Sequence, residues 1–259
     1  MNGPTETLNT HFIIHSQARQ GTHMVRSALG THEQVLVYNE LLHPSAPTWA
    51  DNQFDQQDAV LAELRDASPE QFFAAVRRRQ QRSHVGWCLH SHQLFKGSSG
   101  PRRADGAALT PADQDWLVLD VARKNLLEAF VSWTIAMRTN GWTYELAGEA
   151  STGMVEFRPV DWHSFVSSTL EYRTRARLCL QSLSTYLVWY EDFVGDSAKT
   201  LNAIKEFLGL TVTNLQPVSK KQENRPLEGR FTNWNFVKQE LSGTDWEGCL
   251  YDDPPNWAP

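Results

Sequence analysis

An α/β fold, with a central and mostly parallel β-sheet flanked by helices, follows from three observations. Short apolar runs of strand length alternate along the chain with stretches of helical spacing, the order that parallel strands and crossover helices produce. A strand, a tight loop containing Gly and Arg, and the start of a helix occupy residues 11–30. The chain has 259 residues, of which 41% are hydrophobic and 21% charged, enough for one such domain with insertions. A single domain over 1–259 is therefore expected, with helical and hairpin insertions at 41–82 and 141–175.

The elements follow in order. Residues 11–14 are the first strand and 22–29 the first helix, joined by the loop SQARQGT. Free N–H groups and the positive end of the helix dipole converge on that loop, so it is an anion site, and a nucleotide phosphate is the expected occupant. Residues 34–38 form a second strand ending at Asn39 and Glu40, and 41–55, with Pro44, Ser45 and Pro47, are a loop. Helical spacing covers 56–66 and 69–82. Ser68 and Pro69 start the second of these helices as N-cap and first helical residue. Arg77, Arg78, Arg79 and Arg82 suit its dipole at the other end.

Residues 84–89 (HVGWCL) are a third buried strand leading into His90, Ser91 and His92. Two histidines at i, i+2 have no third ligand near them in sequence, so no metal is expected. Residues 97–106 are a Gly-rich surface loop, and 116–121 (WLVLDV) are the clearest strand. That strand runs through Arg123, Lys124 and Asn125 into a helix reaching about Asn140. Two β-like pieces within 142–159 predict an inserted hairpin, and 161–183 are helical with Arg173, Arg175 and Arg177 interleaved. Residues 186–189 form a further strand, 197–208 a capped helix ended by Gly209, and the tail from Val212 is weakly structured by pattern.

Composition narrows the function classes. A net charge of -6 argues against a general nucleic-acid binder. Cys88, Cys179 and Cys249 lack metal-ligand spacing and leave one thiol over in any disulfide scheme, pointing to a reducing compartment. With no basic, then apolar, N-terminal run and no apolar stretch of membrane-spanning length, a cytoplasmic location is expected. The loop at 16–22 is neither a Walker A motif nor a G-x-G-x-x-G fingerprint, yet it places Arg19 where a guanidinium grips an anion.

Five segments in the same order resemble bacterial sulfotransferases. FIIHSQARQGTHMVRSAL resembles the F-x-x-x-S-x-P-R-S-G-T-T-x-L-R-S-x-L opening of that family, with Arg19, Gly21 and Thr22 matching. Gln20 replaces the usual Ser, His23 the second Thr or Ser, and Ala18 the common Pro. VLVYNELLHP resembles the segment ending in Gly-Glu, and HVGWCLHSHQLF the G-F-K-L strand, with Cys88 at the usual Lys. VLDVARKNLLEAFVSWTIA resembles V-R-R-N-L-L-x-x-x-V-S, and WYEDFVGDSAKTLNAIKEFLGL the Y-E-D-L segment that begins at Tyr190. SKKQENRPLEGRFTNWNFVKQEL, with Lys220 and Lys221, is similar to the C-terminal stretch that closes over the nucleotide.

The resemblance implies a P-loop-NTPase-like core and transfer of a sulfuryl group from 3′-phosphoadenosine-5′-phosphosulfate (PAPS), leaving 3′,5′-adenosine bisphosphate (PAP), without a metal. It places the 5′-phosphosulfate on Arg19, Gln20, Gly21, Thr22 and His23, the 3′-phosphate on Ser132 with either Arg123 or Lys124, and Tyr190, Lys220 and Lys221 also at the nucleotide. Sulfuryl transfer needs charge stabilisation on the leaving group and removal of the acceptor's proton. Arg19 suits the first task, and the base is either His90, matching a histidine of cytosolic members, or Glu40, matching a carboxylate of bacterial ones. The acceptor is a small-molecule, glycan or lipid hydroxyl, or an amine, and the insertions at 41–82 and 141–175, beside the strand ends, are expected to bind it; an oligomer is compatible with this reading. Trp49, Trp142, Trp162, Trp234, Trp246 and Trp257 supply either stacking faces for it or packing. Two other readings compete. One is a kinase-type phosphotransferase with Asp120 as its Mg²⁺ carboxylate, and the other an inactive nucleotide-binding module of the same fold.

Overall fold

The computed structural model describes residues 10–43, 59–78, 82–94, 116–139, 153–211, 215, 225–251, 253–255 and 257. Its centre is a five-stranded sheet, all parallel, in the order β2-β3-β1-β4-β5. The strands are β1 (Thr10–Ser16), β2 (Val35–Tyr38), β3 (His84–His90), β4 (Trp116–Ala122) and β5 (Ser184–Trp189). The first strand in sequence is the middle one in space, so the loop that follows it opens at the centre of the carboxyl edge of the sheet. Ligands of open parallel sheets bind at that edge.

Alternate residues of β1 feed two cores, as the strand period of two requires. Phe12 and Ile14 pack with Val25 and Leu29 of α1 (Thr22–Leu29) and with Leu201 and Ile204 of α7 (Ser197–Leu208). Ile13 packs on the other side with Phe72, Phe73 and Val76 of α3 (Pro69–Arg78) and with Ala176 and Leu180 of α5 (Pro159–Leu180). Gly86 lies opposite Phe12 in the β1–β3 register, and a Cβ there would stand 2.3 Å from the Phe12 ring. The glycine lets a large aromatic side chain lie flat across the neighbouring strand.

The remaining described helices are α2 (Ala59–Ala67), α4 (Leu126–Thr139), α6 (Tyr190–Gly195) and α8 (Trp234–Leu241). The two helices expected at 56–66 and 69–82 end close to where the pattern put them. In the second piece of the expected hairpin, 154–158, Val155 makes an isolated bridge to Phe231, and Pro159 begins α5. The first piece, 142–146, lies outside the described residues. The tail is also better structured than its polar pattern suggested. Phe231, Val237, Leu241 and Cys249 join Phe130, Phe157 and Trp162 in a third core, with Trp234, Trp246 and Trp257 packed against it. Apolar residues spaced through a polar tail bury because α4 and α5 offer them an aromatic surface. Short 3₁₀ turns flank α8, at Leu227–Arg230 and Glu247–Leu250.

Candidate active site

Two left-handed residues shape the loop between β1 and α1: Arg19 with φ 66° and Gly21 with φ 104°. Gly21 is the N-cap of α1 and makes no side-chain cap bond. A Cβ on Gly21 would meet Cδ2 of Tyr190 at 2.6 Å, so only glycine lets the first residue of α6 pack beneath the loop. The guanidinium of Arg123 lies on the same Tyr190 ring, 3.9 Å from its centroid. Gln20 is buried, and its Oε1 accepts from the Arg123 backbone N–H at 2.6 Å. The residue that replaces the usual serine therefore braces the end of β4 against the loop, while its Nε2 has no partner among the described residues.

Arg19 donates from Nε to Ser132 Oγ on α4 at 3.0 Å. Burial, then the nearby charge of Arg123, pulls its pKa down to about 10, so it stays cationic at neutral pH. The Thr22 and Ser16 hydroxyls share a hydrogen bond across the base of the loop. His23 instead turns toward its own helix, where its Nδ1 lies 3.3 Å from Arg26 Nη2.

The two basic residues after β4 separate. Arg123 sits near Arg19 and over the Tyr190 ring, and its Nη1 is 3.6 Å from Glu128 Oε2. Lys124 turns away, donating from Nζ to Asp192 at 2.5 Å and lying over Trp189. Its backbone N–H and that of Asn125 are held by the Glu191 carboxylate at 2.9 and 3.2 Å. Sequence reasoning did not single out Arg230, which is buried and donates to Glu128 Oε1 at 3.2 Å. Its only signal was membership of the segment expected to close over the nucleotide. Lys220 and Lys221, of that same segment, lie outside the described residues.

His90 and Glu40, met as alternatives in the sequence, are neighbours in space. His90 ends β3, and its Nε2 is 3.3 Å from Glu40 Oε1 in the loop after β2. Its Nδ1 faces Ser16 Oγ at 3.5 Å. Burial opposes the imidazolium, but the Glu40 carboxylate outweighs it, and the His90 pKa is raised. Burial likewise opposes the Glu40 carboxylate; His90, then His43 and His92, outweigh it and hold its pKa at about 2. Gln93, which carries no sequence signal, touches both: its Oε1 accepts from the His90 N–H at 3.0 Å and its Nε2 donates to Glu40 Oε2 at 2.8 Å.

Asp120 is not placed to hold a metal. It is buried, with Oδ1 2.8 Å from His15 Nδ1 and Oδ2 accepting from Arg173 Nη2 at 2.6 Å. His15 Nε2 continues to Ser91 Oγ at 2.9 Å. Cys88 is buried in the sheet, and burial pushes its thiol up to about 12, so it is a neutral core residue. Among the described residues no group of His, Cys, Asp and Glu side chains is arranged to hold a metal ion, and no helix is long and apolar enough to cross a membrane.

No protein-family model matches the chain. It is 24% identical over 231 residues to Nodulation protein H of Rhizobium meliloti strain 1021, covering 88% of this chain and 89% of that one. It is 20% identical over 235 residues to Nodulation protein H of Rhizobium tropici, covering 90% and 89%. Among solved structures, the sulfotransferase domain from the curacin biosynthetic pathway is similar in fold. The TM-score is 0.53 at 16% identity, over 94% of this chain and 89% of that one. The parallel five-stranded α/β fold is thus that of a sulfotransferase domain, in agreement with the resemblance along the sequence.

Proposed function

We propose that this protein is a sulfotransferase that moves a sulfuryl group from PAPS to a hydroxyl, or an amine, of a small-molecule, glycan or lipid acceptor. The observation that carries the reading is the placement of the His90–Glu40 pair beside the loop 16–22, joined to it through Ser16. One side of the sheet edge offers an anion cradle and the other a proton acceptor, which together are the two requirements of sulfuryl transfer.

The residues present fit the donor nucleotide. Arg19 and Arg123 stand together, and buried nitrogens of Gln20 and Arg123 have no hydrogen-bond partner among the described residues. When bound, PAPS supplies a sulfuryl group already activated by its phosphate leaving group. The backbone of Gln20, Gly21, Thr22 and His23 lines the cradle, and Arg19 hydrogen-bonds the leaving group and neutralises its charge without donating a proton. On the side of the 3′-phosphate, Ser132 works with Arg123 rather than Lys124, whose ammonium is committed to Asp192. Tyr190 orients Arg123 and supports the loop through Gly21.

Glu40 and His90 act as one unit. With Nε2–H directed at the Glu40 carboxylate, the imidazole presents Nδ1 as its lone pair, on the side of Ser16 and the loop. Nδ1 takes the proton from the acceptor, and Glu40 stabilises the imidazolium that forms. The kinase-type reading loses its only carboxylate, because Asp120 is engaged by His15 and Arg173.

The test is incubation with PAPS and an acceptor library, read by a mass gain of one sulfuryl group, alongside binding of PAP and of ATP with Mg²⁺. Tight PAP binding and at least one sulfated product are expected. Tight ATP–Mg²⁺ binding without PAP binding would overturn the assignment. PAP binding without turnover of any acceptor would favour the inactive module.

A further inference from the structure

We propose that Gln93 is a positioning residue that locks Glu40 and His90 into one productive arrangement. The proposal rests on the reading of those two residues as the proton-accepting unit. Its amide reaches both partners at once, with the carbonyl holding the His90 backbone and the amine holding the Glu40 oxygen that His90 does not use. Gln93 is 2% exposed, so water does not compete for these bonds. A carboxylate held at both oxygens has one orientation, and so has the imidazole that pairs with it.

The 3₁₀ turn Ser91–Leu94 that carries Gln93 is itself tied down. Ser91 Oγ bonds His15 Nε2 at 2.9 Å and lies 3.4 Å from the Ser16 carbonyl, to which it donates. His15 leans on Asp120, and Asp120 on Arg173 from α5. Ser91, His15 and Asp120 have the spacing of a nucleophile–base–acid triad, but they are 0%, 1% and 1% exposed, so no substrate reaches Ser91. The chain of bonds acts as an anchor. It runs across the far face of β1 and fixes the turn from below, while Gln93 fixes the pair above.

His90 faces Glu40 and stacks on His92 of the turn; Glu40 in turn lies near His43 of its own loop, and Arg26 of α1 lies near the neighbouring Cys88. Asp120 and His15 belong to the opposite face of the sheet. Gln93 is the neutral member of the cluster, so its replacement changes orientation without removing a charge.

The experiment is an NMR titration of the His90 imidazole in wild type, Gln93→Leu and Gln93→Glu, with turnover and PAP affinity measured on the same samples. In Gln93→Leu the loss of one hold on Glu40 lets the His90 midpoint fall toward its ordinary value, and kcat drops about 10- to 100-fold while PAP affinity is kept. In Gln93→Glu the acceptor for the His90 N–H remains and a second carboxylate joins Glu40, so the midpoint rises above wild type. An unchanged midpoint in Gln93→Leu overturns the proposal; if that variant does not fold, an unchanged midpoint in Gln93→Glu does so. A His90→Ala enzyme with full turnover would remove the proton-acceptor reading alone, since the titration of His90 in the Gln93 variants still reports the clamp.

Discussion

Arg19 shows at the scale of one residue how position sets role. Its φ of 66° is unusual for a side chain with a Cβ, and the loop holds it there while Nε is fixed by Ser132. Arg19→Ala is expected to lower kcat by about 10²- to 10³-fold with the fold intact, as loss of an oxyanion donor does. Turnover assays beside a thermal melt check this. His90 sets the pH dependence. It must lose its proton before it accepts another, and Glu40 raises its pKa, so activity should rise with pH through a limb above the ordinary histidine value near 6.5. Glu40→Gln removes the stabilising charge, so the limb should move to lower pH and the plateau should fall. A pH–rate profile of the two enzymes checks the direction, and a limb that stays in place would remove Glu40 from the unit.

Single elements are shaped by their ends. The loop–helix junction depends on Gly21, where an added Cβ would meet the Tyr190 ring and the positive φ would be strained in any case. Gly21→Ala should cost roughly 1–3 kcal/mol and weaken PAP binding, measured by denaturant unfolding and calorimetry. At the start of α4, Asn125 Oδ1 accepts from the N–H groups of Leu127 and Glu128, both at 3.1 Å, and its amide donates to the Cys249 carbonyl at 2.9 Å. One side chain thus caps the helix and ties the C-terminal segment to it. Asn125→Ala should destabilise by about 1–2 kcal/mol, a cap's worth, in urea unfolding. The same segment explains why most of the tryptophans read outside the core turn out to be packing. Trp162 is buried, and Trp234, Trp246 and Trp257 close over its cluster.

For the molecule as a whole, Asp120 is a buried polar link that joins the central strand of the sheet to α5 through His15 and Arg173. Burial opposes its charge, but the hydrogen bond and charge of His15, then Arg173 and Arg177, outweigh it and lower its pKa. The stability this contributes is present above the ordinary aspartate value and is lost as pH falls through the lower folded value. Asp120→Asn leaves Arg173 buried without its counter-charge, so it should cost about 3–5 kcal/mol at neutral pH. The gap between wild type and variant should narrow as the pH falls below about 4. Chemical unfolding across that range checks both parts, and a gap independent of pH would show that the carboxylate charge is not what holds α5 to the sheet.

The order of strands and helices was legible because each apolar run is continuous and each helix start carries a local signal, such as Ser68–Pro69 or the Gly21 loop. Local physics settles those features, and the all-parallel sheet follows from them. Long-range pairing was not legible. The sequence offered His90 or Glu40 and Arg123 or Lys124 as alternatives, and only the β2–β3 and β4–β5 neighbours decide which side chains meet. Gln93 and Arg230 left no trace in any spacing, since the carboxylates they bond, Glu40 and Glu128, are 53 and 102 residues away. The tail hid its structure for a related reason: its apolar residues have no regular period, and they are buried by a surface that other helices supply. The sequence by itself determined the frame and the loop at its centre. Tertiary packing decided which charges face one another there, because that depends on chain segments brought together from far apart.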